Sequence, residues 1–399
     1  MKKLKIIAFV VAITAVFAVG AMTNEWTLYG SARMATFYTS QDLGDLYKSD
    51  TNPSGNDEFG RSTMKDLQWN LQSNARIGAI VKGDMLSGRF EYGAGSGNAN
   101  ANIRLLYGVW HFSENWGLKV GQDFTPITFF LSNQVFDTDN NLEFVGNAYG
   151  GRQGQVALEG IFGPGTLKFA AVTPETSTLN VTSDATTEAK LPKLEASYEF
   201  KLNDATSFHG FLGYNYYKLY WLAPAPGGVG TANYDKNISS YVAGLGADLN
   251  FGPFFVKPQV SYYQNGAVAG WLDTNLGLNS LLPEQTPFLN EFDNDIVDVN
   301  SLMAMLAFGY SPTESLTLEA GIGYIGSKSD SYQVDPSRSV KLKNNYLEYY
   351  LQAAITMAKG VYLIPEVGLR DYGDLEGDVE GKVDLGSLWY AGAKWQIDF

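Results

Sequence analysis

The chain has 399 residues, a formal net charge of -14, 45% hydrophobic residues, 14% aromatics and no cysteine. The missing cysteines exclude a disulfide framework, a thiolate metal site and a thiol nucleophile, and the acidic balance disfavours nucleic acid, whose phosphates would be repelled. A mean hydropathy of -0.13 is too low for a bundle of membrane helices, but it suits a β-barrel, which turns only alternate residues toward lipid and needs aromatics for its interfacial girdles.

The chain opens with Met1-Lys2-Lys3-Leu4-Lys5, an apolar run at residues 6–19, and the small residues Gly20 and Ala21. This order of charge, hydrophobe and small residue reads as a secretory signal over residues 1–21, leaving 22–399 as a single domain. No later stretch approaches the roughly 20 apolar residues that a membrane helix needs.

A first strand is predicted at residues 25–37, with Trp26, Leu28, Ala32 and Met34 on one parity and Thr27, Ser31 and Arg33 on the other. After a polar loop comes the clearest signal in the chain, LQWNLQSNARIGAIV at residues 67–81. Strand side chains alternate between faces. One face here is apolar, and the other holds Gln68, Asn70, Gln72, Asn74 and Arg76. A wall between hydrocarbon and a water-filled lumen has this pattern. Strands follow at 86–93, 102–112 and 117–123. Arg33, Arg76, Arg89 and Arg104 fall on the inward parity of the first four strands. Arginine cannot lose its charge and is costly on a lipid face, so these four are candidates for a basic pore wall. Pairing with a lumenal acid such as Glu91 is the alternative role, and the two are compatible.

Residues 124–151, FTPITFFLSNQVFDTDNNLEFVGNAYGG, break the pattern. They mix Ile127, Phe129, Phe130, Val135 and Phe136 with Asp137, Asp139 and Glu143, which is too apolar for a loop standing in water. Pro126 and the run after it are suited to starting a short helix. Alternation then resumes and continues to the end of the chain. Lys119, Asp123, Gln153, Gln155 and Glu159 would line the lumen near the exceptional loop, and Lys193, Glu195, Glu319, Glu348 and Glu366 look inward elsewhere. Pro258 and Pro365 sit within strands, where each removes a ladder hydrogen bond and calls for a bulge or a locally widened register. Met303 and Met305 fall on an inward face, an odd place unless a loop or partner covers them. The longest connection, at about 265–297, reads as an external loop.

In the acidic loop 371–384, alternate carboxylates at Asp374, Glu376 and Asp378 make a weak candidate for structural Ca²⁺. A solvated loop is the stronger reading, and no other cofactor is expected. His111 and His209 lie on different strands with no nucleophile or metal motif beside them, which leaves no basis for an enzyme.

The last strand, LWYAGAKWQIDF, is amphipathic and ends in Phe399. With the signal, about 16 alternating strands, short and long connections in turn, and one exceptional loop after the fifth strand, the chain resembles the general trimeric porins of Gram-negative bacteria. The acidic PEFGG-type loop motif of the enterobacterial members is absent. The resemblance implies an all-β transmembrane antiparallel barrel whose third external loop folds inward; a lid or subunit-contact loop is the alternative reading of 124–151. Asp137, Asp139 and Glu143 would then face the basic wall across a constriction. It further implies passive diffusion of small hydrophilic solutes and ions, a homotrimer, and an outer membrane of lipid and lipopolysaccharide. The surplus of acids leans toward cation preference, and the arginines pull the other way. Rival readings are a specific uptake channel for organic acids or sugars, and a non-conducting structural or adhesive surface barrel.

Overall fold

The computed structural model describes residues 25–45, 61–95, 101–143, 145–179, 181–224, 231–272, 285–290, 292–335, 337–377 and 381–399; the expected signal segment lies outside them. Sixteen antiparallel strands close into a barrel. In chain order they are β1 (Glu25–Asp42), β2 (Thr63–Leu71 continued by Arg76–Lys82), β3 (Leu86–Gly93), β4 (Asn102–His111), β5 (Trp116–Phe124), β6 (Arg152–Phe162), β7 (Gly165–Val172) and β8 (Lys193–Asn203). The second half comprises β9 (Thr206–Pro224), β10 (Thr231–Phe251), β11 (Phe254–Gln264), β12 (Val299–Thr313), β13 (Leu316–Ser329), β14 (Lys343–Ala358), β15 (Val361–Asp371) and β16 (Ser387–Asp398). β1 pairs with β16 from Ser31–Asp398 to Asp42–Ser387, so the sheet has no free edge. Closure satisfies the backbone from within, which lipid demands because it offers no hydrogen bonds. At the seam Phe399 and Gly30 exchange backbone hydrogen bonds of 2.7 and 3.0 Å. The Phe399 ring covers Gly30 so closely that a Cβ there would lie 2.5 Å from it.

Alternation sorts the side chains. Leu28, Leu67, Trp69, Leu212 and Leu245 stand exposed on the outer face, while Glu91, Lys193, Glu195 and Glu348 are fully enclosed. Outward aromatics fall at two levels. Trp26, Trp110, Phe251 and Phe254 lie near the short turns, and Tyr38, Trp69, Tyr241 and Trp389 lie near the long connections. Two such belts around an apolar band are what a bilayer requires.

Three local features differ from, or refine, the sequence reading. First, 67–81 is not one continuous strand. Between the pairs Met34–Leu71 and Ser31–Arg76, the four residues 72–75 of β2 stand opposite only two of β1. The insertion is even, so the apolar face stays outward on both sides of the break. Second, both prolines sit where the ladder opens without a shift: β10–β11 pairing skips from Gly246–Gln259 to Leu249–Val256, and β14–β15 pairing from Gln352–Glu366 to Ile355–Leu363. Third, the connection after β11 is not wholly external. It begins with a 3₁₀ turn, Ala267–Ala269, and with Trp271 and Leu272 it is buried against the inner wall. Apolar side chains at 267–272 gain more from covering Phe211 and Tyr263 than from standing in water.

Candidate functional site

The segment leaving β5 crosses the lumen. Its backbone is irregular, so its N–H groups need side-chain partners, and inward carboxylates of the far wall supply them. Glu319 on β13 accepts from the Asn133 backbone (2.8 Å) and from Asn133 Nδ2 (2.5 Å). Glu348 on β14 accepts from Gln134 Nε2 at 2.6 Å. Glu366 on β15 accepts from the backbone of Val135 (2.7 Å) and Phe136 (3.0 Å). Tyr350 donates to Glu319, and Tyr390 donates to Glu366.

From the other side, the break in β2 turns two amides into the lumen. Gln72 Nε2 donates to the Val135 and Asp137 carbonyls (3.2 and 2.9 Å), and Asn74 Nδ2 donates to the Thr138 carbonyl (2.9 Å) and Asp139 Oδ2 (2.6 Å). Gln259 on β11 donates to Asn147 Oδ1 at 2.6 Å. No helix starts at Pro126. There is one distorted turn, Phe136–Asp139, in which Asp137 has a left-handed φ of 58°. The apolar residues pack on the wall: Phe136 stacks on Tyr390 (3.7 Å), and Phe129 stacks on His209 (3.9 Å). Leu131 and Leu142 cover Met305, and Met303 is buried beside Val145 and Ile127.

The charges do not form two free opposing rows. Arg33 NH1 lies 2.5 Å from Asp139 Oδ2, and Lys394 Nζ of β16 lies 2.9 Å from Asp139 Oδ1. Burial alone would raise the Asp139 carboxyl, but Lys394 and Arg33 outweigh it and hold the group below the usual carboxylate range. Arg76, Arg89 and Arg104 gather around the single buried Glu91 at 3.6, 3.0 and 2.6 Å. Arg104 reaches the lumen through a β-bulge. The β3–β4 register shifts between Glu91–Leu105 and Tyr92–Ile103, and Gln122 Nε2 caps the displaced carbonyls of Ile103 and Arg104. Glu143 is half-buried, and the loop packed around it pushes its carboxyl up to about 8 despite Arg152 and Arg104 nearby. Asp137 stands exposed and apart from these groups.

These residues enclose a cavity of about 570 Å³. Its cations are Arg33, Arg76, Arg104, Arg152 and Lys394, and its acids are Asp139, Glu143 and Glu319. Arg89 and Asp137 are not on its lining. Lys119 binds Asp123 (2.5 Å) and Glu159 (2.8 Å) in a compact triad of its own. Gln155 donates to the Asp123 and Phe124 carbonyls, fixing the root of the loop, and Gln153 lies beside Gly270 of the inward 267–272 turn. Asp374 and Glu376 lie on one arm of a hairpin and share Lys382 (3.3 and 2.6 Å) from the other; Asp378 falls outside the described residues. Among the described residues no three His, Asp or Glu side chains gather as a metal site would need. His111 bonds Ser87 (2.8 Å), far in sequence from the Phe129–His209 stack. Parity did not flag Arg152, whose position in β6 matches the outward Val156 and Leu158; it lies over the Phe124 ring instead, 5.5 Å from its centroid.

No family model matches the sequence, and no curated protein matches it. Solved structures do. The outer membrane channel DcaP of Acinetobacter baumannii aligns with a TM-score of 0.60 at 18% identity, over 94% of this chain and 97% of that one. OmpT, an outer membrane protein of Vibrio cholerae, aligns at 0.54 and 12% identity over 95% and 99%. The anion-selective porin from Comamonas acidovorans aligns at 0.51 and 13% identity over 94% and 100%. At these identities the likeness is one of architecture. The chain has the 16-stranded barrel fold of the outer-membrane porins.

Proposed function

We propose that this chain is an outer-membrane diffusion channel for small hydrophilic solutes and ions, with residues 1–21 removed as a secretion signal and 22–399 forming the barrel. The third loop is its constriction, and solutes pass through the cavity beside that loop. The outer belt of lipid-facing residues meets lipid and lipopolysaccharide, and the working form is a homotrimer, as the resemblance to general porins suggests. The observation that carries the reading is the cavity itself, a polar space between the loop and the wall of β1, β2, β4–β6 and β13–β16, lined by five cations and three acids. Charge at a constriction sets ion preference. With Asp139 held between Arg33 and Lys394, the surplus left at this level is positive, so the channel favours anions although the whole chain carries -14.

Single-channel recording of the purified protein in a planar bilayer tests this. Steps of conductance are expected, with a reversal potential of anionic sign across a KCl gradient. Saturable block by one organic acid or sugar would favour the specific-uptake alternative. A protein that inserts but never conducts is a structural barrel, and the proposal fails.

A further inference from the structure

We propose that residues 266–272 form a second lumenal obstruction. Together with the third loop it closes the side of the barrel walled by β8–β12 and confines solute to the arginine-lined side. This rests on the channel reading above and adds to it the element that decides where the passage runs.

The turn is held by a charged clamp on β8. Trp271, with no exposed surface, donates its indole Nε1–H to Glu195 Oε1 at 2.9 Å. Lys193 Nζ, equally enclosed, donates to the Ala269 carbonyl at 2.8 Å. The two charged groups lie 3.7 Å apart, and the ammonium stands 5.7 Å from the centre of the Trp271 ring. Burying a carboxylate and an ammonium costs several kcal/mol per ion unless partners replace the lost water. Two of those partners, the Trp271 indole and the Ala269 carbonyl, are in place only while the 266–272 turn is seated. The wall is shaped to receive it: Gly213 on β9 lies under the indole, and a Cβ there would meet the ring at 2.7 Å. At the turn's exit Gly270 has φ 71°, a left-handed conformation in which side chains are strained.

The same carboxylate reaches the third loop. Glu195 Oε2 lies 3.5 Å from the Ile127 backbone nitrogen, so one residue of β8 faces both inward segments. They occupy successive levels of the same side. Phe129 of the third loop packs on Phe211, 5.9 Å away, and Trp271 covers Gly213, the next inward position of β9. The remaining inward residues here, Val242, Tyr263 and Met303, are buried with Trp271 and Ile127 in one apolar cluster. The 570 Å³ cavity takes its wall from β1, β2, β4–β6 and β13–β16, and from none of β8–β12.

The absence of native cysteine makes thiol accessibility the direct test. Single cysteines are introduced at Val242, beneath the turn, and at Ser73, on the cavity lining, and each protein is treated in bilayer or detergent with a charged, water-soluble methanethiosulfonate. Ser73→Cys should react and Val242→Cys should be protected. Adding Trp271→Ala should speed modification at 242 by about tenfold or more, as a local opening does, and should raise the conductance. If Trp271→Ala does not fold, the double variant Lys193→Met with Glu195→Met removes the clamp without leaving a lone buried charge and should act in the same direction. Modification of Val242→Cys as fast as Ser73→Cys with the clamp intact overturns the proposal. So does continued protection at 242, with unchanged conductance, in a folded clamp variant. An unreactive Ser73→Cys in a non-conducting protein would instead sink the channel reading beneath it.

Discussion

Asp139→Asn isolates the charge that Arg33 and Lys394 share at the cavity. The carboxylate lies 2.5 Å from Arg33, 2.9 Å from Lys394 and 2.6 Å from the Asn74 amide. The substitution preserves shape and one acceptor oxygen while leaving two cations without a counter-charge. A cavity of about 570 Å³ corresponds to a sphere of roughly 5 Å radius. At that distance a unit charge acts on a passing ion with about 0.8 kcal/mol in water, falling to about 0.5 kcal/mol after screening at physiological salt. The change is opposite in sign for a cation and an anion, so their permeability ratio should move by about 1 kcal/mol, or roughly fivefold toward anions. The assay is the reversal potential across a KCl gradient, repeated near 1 M salt, where the Debye length is about 3 Å and the shift should shrink. Asp137→Asn is the control, because Asp137 is exposed and off the cavity lining. An unchanged reversal potential in Asp139→Asn, or an equal shift in Asp137→Asn, would show that the cavity is not the selective point.

Two further outcomes follow from the same geometry. Glu366→Gln places an amide N–H₂ where Val135, Phe136 and Tyr390 all offer donors; a buried donor left without its acceptor costs about 1–3 kcal/mol, so the loop should loosen, seen as greater open-channel current noise and a lower Tm, with Tyr390→Phe milder on both. Glu143, whose carboxyl sits at about 8, is a neutral acid below that pH and a carboxylate above it, so raising the pH from 6 to 9 adds one negative charge to the cavity and should reduce anion preference. Glu143→Gln should flatten that pH dependence, and an unaltered profile would mean another group is responsible.

Period-two alternation made the barrel legible, because a strand between lipid and water must write its two faces into the sequence. The same rule found Arg33, Arg76 and Arg89 on the lumenal side. Arg104, read as inward with them, is inward, but the parity assigned to it was wrong. Its parity is that of Leu106 and Trp110, which are exposed on the outer face, and only the bulge beside Leu105 turns it inward. Parity alone cannot register a bulge, and the same blindness hid Arg152, displaced at the start of β6. The break in β2 escaped notice for the opposite reason: an insertion of even length leaves the alternation intact. The apolar content of 124–151 announced an unusual loop. Its anchors were not readable, since Asp139 and Lys394 are 255 residues apart and nothing local to either names the other.

The inward carboxylates explain why total charge misleads about the lumen. Glu319, Glu348 and Glu366 look in sequence like a negative lining, yet each accepts hydrogen bonds from the third loop, and Glu195 does the same for the indole of the second inward turn. A loop held inside a barrel brings unpaired N–H groups to the wall, and carboxylates satisfy them better than neutral acceptors do. The acids are therefore concentrated where loops are fastened. Arg76, Arg89 and Arg104, which can only donate, gather away from those anchors, whereas Arg33 is itself bound to Asp139 of the third loop. Those three share one glutamate there, so a positive surplus survives beside the cavity of an acidic protein. On the channel reading proposed above, selectivity would follow from which charges the inward loops leave unengaged, and fastening the loops differently would change it without altering a single lining residue.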